Sequence, residues 1–238
     1  MLVIILASRI LIINPVNTDI WNEITLSTVK KVICPDTEVI VRNLYEGPQS
    51  IEYEYDRDIA TPYVIEEVIK ANKEGFNAII INCFDDPGVE AAREISNVLV
   101  LGIGETSIIV SLTLGYRIAI ISIGKHSNSV YYKKAIALGI KDRIAYVSGI
   151  DINILDIRKN VDKVKQMLLN EIKKAISDYG AEVIVLGCSG LIGLAEELSR
   201  IVCVPIIDPT LITIKIAEAL IKLSIKHNKI LGNINFNY

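Results

Sequence analysis

The chain lacks any run of apolar residues approaching the roughly 20 that a membrane-spanning helix needs. It has only two histidines, and its four cysteines (Cys34, Cys83, Cys188 and Cys203) show no C-x-x-C spacing. A zinc site is therefore not expected, nor is a disulfide framework in a chain of this size; reduced thiols in a cytoplasm are the simplest assumption. Basic charge is not in excess: the net charge is −3, with Lys and Arg scattered among acidic residues. That removes the electrostatic reason to expect nucleic acid as a partner. Low-complexity stretches and Pro/Gly/Ser-rich linkers are missing, so two parts of the chain should be closely joined. The apolar start, Met1 to Ala7, has no basic n-region and is followed directly by Arg9. It reads as an extension ahead of the first strand rather than a signal sequence.

The 238 residues are 51% hydrophobic, enough for one large domain or two compact lobes. The apolar residues fall in runs of roughly 4–8 rich in Ile and Val, the pattern of parallel strands buried on both faces. Strand and helix patterns alternate throughout, which predicts an α/β fold. Strands are expected at Arg9 to Asn14, Thr37 to Arg42, up to Cys83, Val98 to Leu101, Arg117 to Ser122, Arg143 to Val147, up to Cys188, and Val202 to Ile206. Helices are expected over about Thr18 to Val32, from near Pro62 to about Glu74, and from near Pro87. Further helices are expected from Glu105, over Asn128 to Leu138, over Asn160 to Tyr179, up to Arg200, and from Thr210 to about His227. The Tyr- and acid-rich stretch Leu44 to Asp58 reads as a loop, its tyrosines suited to a lid or an oligomer contact.

The most informative feature is a passage that occurs twice. Gly75-Phe76-Asn77-Ala78-Ile79-Ile80-Ile81-Asn82-Cys83 is matched by Gly180-Ala181-Glu182-Val183-Ile184-Val185-Leu186-Gly187-Cys188. Gly75 to Gly180, Cys83 to Cys188 and Gly88 to Gly193 are each a step of 105 positions. Arg9-Ile10-Leu11-Ile12-Ile13-Asn14 is likewise echoed by Arg117-Ile118-Ala119-Ile120-Ile121-Ser122, a step of 108. Each apolar run delivers a thiol to the C-terminal edge of a sheet, where ligands of open α/β sheets bind. Two such thiols facing each other suit an enzyme that takes a proton from one face of a carbon and returns it on the other. Both cysteines stand directly before a predicted helix start, whose unpaired N–H groups would stabilise a thiolate. One would act as base while the other, as thiol, donates a proton. A single buried Cys is ordinarily a small hydrophobe; the matched pair shifts the balance to function.

These segments resemble the aspartate/glutamate racemase superfamily, and within it the hydantoin racemase branch. The likeness is carried by Ile13-Asn14-Pro15-Val16-Asn17-Thr18, Asn82-Cys83-Phe84-Asp85-Asp86-Pro87-Gly88, Gly102-Ile103-Gly104-Glu105, Leu186-Gly187-Cys188-Ser189-Gly190 and Val204-Pro205-Ile206-Ile207-Asp208-Pro209. It spans about Arg9 to Ala219, and the Cys-Phe-x-Asp-Pro-Gly segment is its most specific part. The amino-acid racemases of the superfamily usually carry Cys-Asn-Thr instead. The resemblance implies two αβα lobes with mainly parallel sheets, related by pseudo-twofold symmetry around a central cleft. Residues 1–103 and 209–238 would form the first lobe and 104–208 the second. It also implies cofactor-independent racemisation by Cys83 and Cys188 on opposite faces of a small-molecule substrate, with no metal, in a homo-oligomer.

The expected substrate is a 5-substituted hydantoin or similar cyclic ureide, because loss of C5–H beside a ring carbonyl gives an enolate. Backbone N–H groups around Phe84–Asp85 and Ser189–Gly190 would bind the substrate oxygens and the developing charge. Asn17 is a candidate substrate contact because the family's Asn-Pro-Asn segment lines the pocket; here Val16 replaces its second Asn and Asn17 lies one step on, while as a plain residue Asn17 is a helix N-cap. Ser122, ending the strand that mirrors the first, is another candidate. Asp85 and Asp86 are expected to cap a helix and point away from the sulfur, since a carboxylate there would raise the thiol pKa. Glu105 and Asp208 are expected in capping or supporting hydrogen bonds. His227 is expected in solvent, His126 peripheral, and Cys34 and Cys203 structural. Aspartate, glutamate or allantoin racemisation keeps the thiols and changes the substrate. A non-enzymatic binding protein has the same two-lobed shape but no need of two matched thiols.

Overall fold

Short Ile- and Val-rich segments build two parallel four-stranded sheets. The computed structural model describes residues 8–124 and 127–228; the expectations for Met1 to Ala7 and for His126 lie outside them. The first sheet contains β1 (Ser8–Asn14), β2 (Thr37–Asn43), β3 (Ala78–Ile81) and β4 (Leu99–Gly102), in the order β2-β1-β3-β4. The second contains β5 (Ile118–Ile123), β6 (Ile144–Ile150), β7 (Val183–Leu186) and β8 (Ile206–Ile207), in the order β6-β5-β7-β8. The internal repeat extends to strand register. Ile10 to Ile13 face Ala78 to Ile81, and Ile118 to Ile121 face Val183 to Leu186. The steps of 108 and 105 carry the first set of pairs onto the second.

Helices cover both faces of each sheet, which is why the strands are apolar without alternation. In order these are α1 (Asn22–Val29), α2 (Glu54–Ala71), α3 (Val89–Ile95), α4 (Ile103–Ser111), α5 (Ser127–Ala137), α6 (Val161–Tyr179), α7 (Ala195–Val202) and α8 (Pro209–Lys222). One face of the first sheet packs Leu11, Ile13, Ile79 and Ile81 against Val64 and Val68 of α2. The other packs Ile10, Ile12 and Ile80 against Ile214 and Ala217 of α8. In the second sheet Ile121 and Ile184 meet Leu168 and Ile172 of α6, and Ile120 and Val183 meet Ile108 of α4. Each fully buried Ile contributes roughly 2–3 kcal/mol over an exposed one. The two lobes thus exchange helices: α4 follows the first sheet but packs on the second, and α8 does the reverse.

Four boundaries differ from the sequence expectation. The helix expected from Pro62 begins at Glu54, because Asp56 accepts the N–H groups of Glu52 and Tyr53, both at 3.0 Å. Pro62 lies inside that helix, where it has no N–H to give to the carbonyl of Asp58. The last strand is only Ile206–Ile207, since Val202 still belongs to α7 and Cys203 turns the chain with φ 58°. Helix α1 begins at Asn22, so Asn17 caps no helix. Helix α8 stops at Lys222, and His227 packs on the edge of β4, with Nε2 3.3 Å from the Ser96 carbonyl, rather than standing in solvent.

Candidate active site

In sheets of order 2-1-3-4 the connections leave in opposite directions from the first and third strands, opening a crevice at their C-terminal ends. Here the crevices lie between β1 and β3 and between β5 and β7, and they face each other. Asn14 ends β1 and Ser122 is the last residue but one of β5; Cys83 and Cys188 follow β3 and β7. All four line one cavity of about 60 Å³ together with Val16, Trp21, Ser50 to Glu52, Phe84, Asp85, Tyr131, Ser189 and Gly190. Both thiols are partly accessible.

The electrostatics of the thiols run against the expected helix-start effect. Helix α3 begins only at Val89, six residues beyond Cys83, and Asp85 lies between. Burial, joined by the Asp85 carboxylate, pushes the Cys83 thiol well above its ordinary range. Asp85 lines the same cavity as Cys83, so its charge acts on the sulfur, against the expectation that it stays clear of it. Burial also pushes Cys188 up, to about 11, against the pull of N–H groups at Gly190 and Leu191 and the charge of Arg158. One device is shared. The N–H two residues after each cysteine is turned to sulfur: Gly190 donates to Cys188 Sγ at 3.3 Å, and Asp85 to Cys83. These two N–H groups, expected from sequence to meet substrate oxygens, are turned to the thiols in this structure. Both shifts favour the protonated thiol over the thiolate.

Different networks hold the two cysteine loops. In the first lobe a row of amides crosses the sheet edge. Thr210 Oγ1 donates to Asn82 at 2.7 Å, Asn82 to Asn14 at 2.7 Å, Asn14 to Asn22 at 2.8 Å and Asn22 to Asn43 at 3.0 Å. Each amide is donor and acceptor in one direction, so the bonds reinforce one another. In the second lobe Ser122 and Tyr131 hydroxyls both donate to the Gly187 carbonyl, at 2.6 and 2.8 Å, fixing the residue before Cys188. Asp86 does not cap the helix beside Pro87. It accepts from Gly104 and Glu105, at 2.8 and 2.7 Å, tying the Cys83 loop to α4, and pairs with Lys134 of α5 at 2.5 Å. Asp208 makes the equivalent tie from the other end: it caps α8 through Thr210 and Leu211 at 3.1 Å and takes the Gly193 N–H at 2.7 Å. Glu105 pairs with Arg93. Gly104 must be glycine: a Cβ there would stand 2.0 Å from the Phe84 carbonyl oxygen.

Residues 10–217 match the Asp/Glu/hydantoin racemase family. The chain belongs to that family. It is 31% identical over 222 residues to a hydantoin racemase of Pseudomonas sp. (strain NS671), covering 93% of this chain and 89% of that one. It is 32% identical over 210 residues to a hydantoin racemase of Rhizobium meliloti, covering 88% and 87%. Among solved structures, an allantoin racemase from Klebsiella pneumoniae superposes with a TM-score of 0.91 at 26% identity, covering 96% of this chain and 94% of that chain. The α/β architecture is therefore a racemase-family fold. Racemases of this family act on small molecules, and among the described residues no helix is long and apolar enough to cross a membrane.

Against that family frame, Cys83, Phe84, Asp85, Ser122, Cys188, Ser189 and Gly190 come together as expected from sequence. Asn17 does not: it is exposed and lies outside the cavity lining, its N–H bonded to the Pro48 carbonyl at 2.7 Å. Asn14, three residues earlier, holds the polar position at the strand end. Its signal was present, since it is the 108-step counterpart of Ser122. Ser122 lines the cavity, but its proton is committed to Gly187. Cys34 and Cys203 are exposed and away from the cavity. Trp21, the Ser50–Glu52 segment, Tyr131 and Lys134 went unrecognised. Trp21 reaches across the cleft to the Cys188 loop; a Cβ on Gly190 would stand 3.4 Å from its ring and 3.4 Å from the Cys188 sulfur. Ser50 to Glu52 belong to the stretch read as a loop and supply one wall, whereas Tyr45, Tyr53 and Tyr55 stay exposed.

Proposed function

We propose that the protein racemises a 5-substituted hydantoin or a closely similar cyclic ureide by proton transfer between two thiols, without a cofactor. The observation that carries this reading is the presence of both partly accessible cysteines in one cavity, delivered by equivalent strands of two duplicated lobes. A thiolate of one cysteine takes the C5 proton, leaving an enolate over the adjacent ring carbonyl. The thiol of the other gives a proton to the opposite face. The two sulfurs end with exchanged protonation states, ready for the reverse turnover. Because each thiolate is costly in the resting site, the sulfur-directed N–H groups of Asp85 and Gly190 supply the stabilisation that the base requires. Cys83 and Cys188 are the proposed catalytic residues, and a reducing compartment is part of the proposal.

The substrate reading draws on the hydantoin racemase relatives, while the likeness to the allantoin racemase structure favours allantoin as the second candidate. Both are neutral ureides. An aspartate or glutamate substrate brings two carboxylates, and the described cavity lining offers them Asp85 and Glu52 but no Lys, Arg or His. The test is solvent deuterium incorporation in D2O with single enantiomers of 5-methyl- and 5-benzylhydantoin, allantoin, L-aspartate and L-glutamate. Racemisation of a hydantoin with deuterium at C5 is the expected result. Exchange of an amino acid alone would overturn the substrate class. Binding of a ureide without any exchange would favour a non-enzymatic binding protein.

A further inference from the structure

Asp85 and Asp86 are neighbours with opposite situations. Asp86 is saturated by two backbone N–H groups and the Lys134 ammonium. Asp85 lines the cavity beside Cys83, and among the described residues its carboxylate has no hydrogen bond or ion pair of its own. The cations that act on it are engaged elsewhere: Lys134 with Asp86, and Arg57 with Asp58 at 2.8 Å. Arg158 lies behind Cys188, outside the lining, with Nη2 on the Ile192 carbonyl. A half-buried carboxylate without a partner seeks N–H donors or positive charge and repels anions.

Resting on the racemase reading above, we propose that Asp85 is the specificity-determining residue of the cleft: its carboxylate accepts an N–H of the substrate, favouring ureides with a neutral N–H-bearing or cationic C5 substituent and rejecting those with a carboxylate. The site class is thus narrower than the fold requires. Ring N–H, ureido and ammonium groups all satisfy Asp85, whereas a carboxyalkyl substituent meets like charge.

Two measurements test this, both on a Cys34→Ser/Cys203→Ser background so that only the cleft thiols react. The first compares turnover of 5-(4-aminobutyl)hydantoin and 5-(2-carboxyethyl)hydantoin in wild type and Asp85→Asn at pH 8. The ratio of their kcat/KM values cancels any change in thiol chemistry, since both substrates use the same sulfurs. The wild type should favour the cation, and Asp85→Asn should reduce that preference by about tenfold or more, the scale of one removed charge at close range. The second needs no turnover. A cationic and an anionic methanethiosulfonate reagent label Cys83, followed by peptide mass; wild type should favour the cationic reagent, and Asp85→Asn should erase about tenfold of the preference. An unchanged labelling ratio overturns the Asp85 assignment whatever the enzyme turns over. A labelling ratio that shifts as expected while no hydantoin exchanges deuterium supports the assignment and removes the racemase reading instead.

Discussion

The two lobes share strand register and the position of their thiols, yet they stabilise those thiols differently. The Cys188 loop turns immediately into a short 3-10 segment, Ser189–Leu191, whose N–H groups reach back to sulfur, and it has Arg158 nearby. The Cys83 loop runs through two acidic residues, one lining the cavity with the sulfur and the other locked by Lys134. The repeat thus places the two thiols alike, while the residues around them make them inequivalent. On the proposed two-thiol mechanism, Cys188, with the N–H groups of Gly190 and Leu191 and the charge of Arg158 acting on it, is the favoured first base.

That asymmetry can be broken most strongly at the Lys134–Asp86 pair, where side chains of both residues are largely buried (14% and 6% exposed). Lys134→Met leaves a buried carboxylate without its cation and should destabilise the protein by roughly 3–5 kcal/mol. Asp208→Asn, which only weakens the cap and loop tie in the other lobe, should cost about 1–2 kcal/mol. Urea denaturation midpoints of the two variants check the order; equal losses would mean that the lobes are tied equally.

The next effect is on rate against pH. With both shifts favouring the thiol, and Cys188 near 11, the thiolate fraction rises about tenfold per pH unit below that value. Initial racemisation rates should climb on the order of 100-fold from pH 7 to 9. A flat profile over that range would show that a thiolate already exists in the resting enzyme.

How much of this was legible in the sequence follows from how each feature is encoded. Strands buried on both faces print as unbroken apolar runs, so β1, β3, β5 and β7 could be placed, and the common steps of 105 and 108 exposed the duplication. The cysteines followed, because each stops such a run. The ties that set their electrostatics were not legible, since their partners are remote in sequence. Asp86 reaches Gly104 and Lys134, Trp21 crosses to Gly190, and Tyr131 meets the Gly187 carbonyl. Asn17 was misplaced for a local reason: β1 ends at Asn14, and the chain leaves the cleft through Pro15 and Val16. The expected thiolate stabilisation failed because burial outweighs two N–H groups.

A smaller effect sharpens the comparison directly. Iodoacetamide should alkylate Cys188 about tenfold faster than Cys83 at pH 8, because the Asp85 charge opposes the Cys83 thiolate while the Arg158 charge favours that of Cys188. Equal rates would remove the proposed bias. The smallest is on stability. Burial raises Asp85 from its ordinary 3.8 to about 6. Folding thus favours its protonated form, a contribution complete below about pH 3.8 and lost as pH rises through about 6. Asp85→Asn should therefore stabilise the protein by about 1 kcal/mol at pH 8, after allowance for partial exposure, and by nothing measurable near pH 4. Stabilisation that persists at pH 4 would place its origin elsewhere than in the charge.

The most direct test of the two-thiol account is solvent deuterium exchange of each separate enantiomer of 5-methylhydantoin in wild type, Cys83→Ser and Cys188→Ser. The account predicts that both variants lose racemisation by about 10²–10⁴-fold, the scale of a missing acid or base, while each retains exchange of one enantiomer, and the two variants retain opposite ones. A variant that still racemises at the wild-type rate would show that its cysteine transfers no proton, and the two-thiol mechanism would fall.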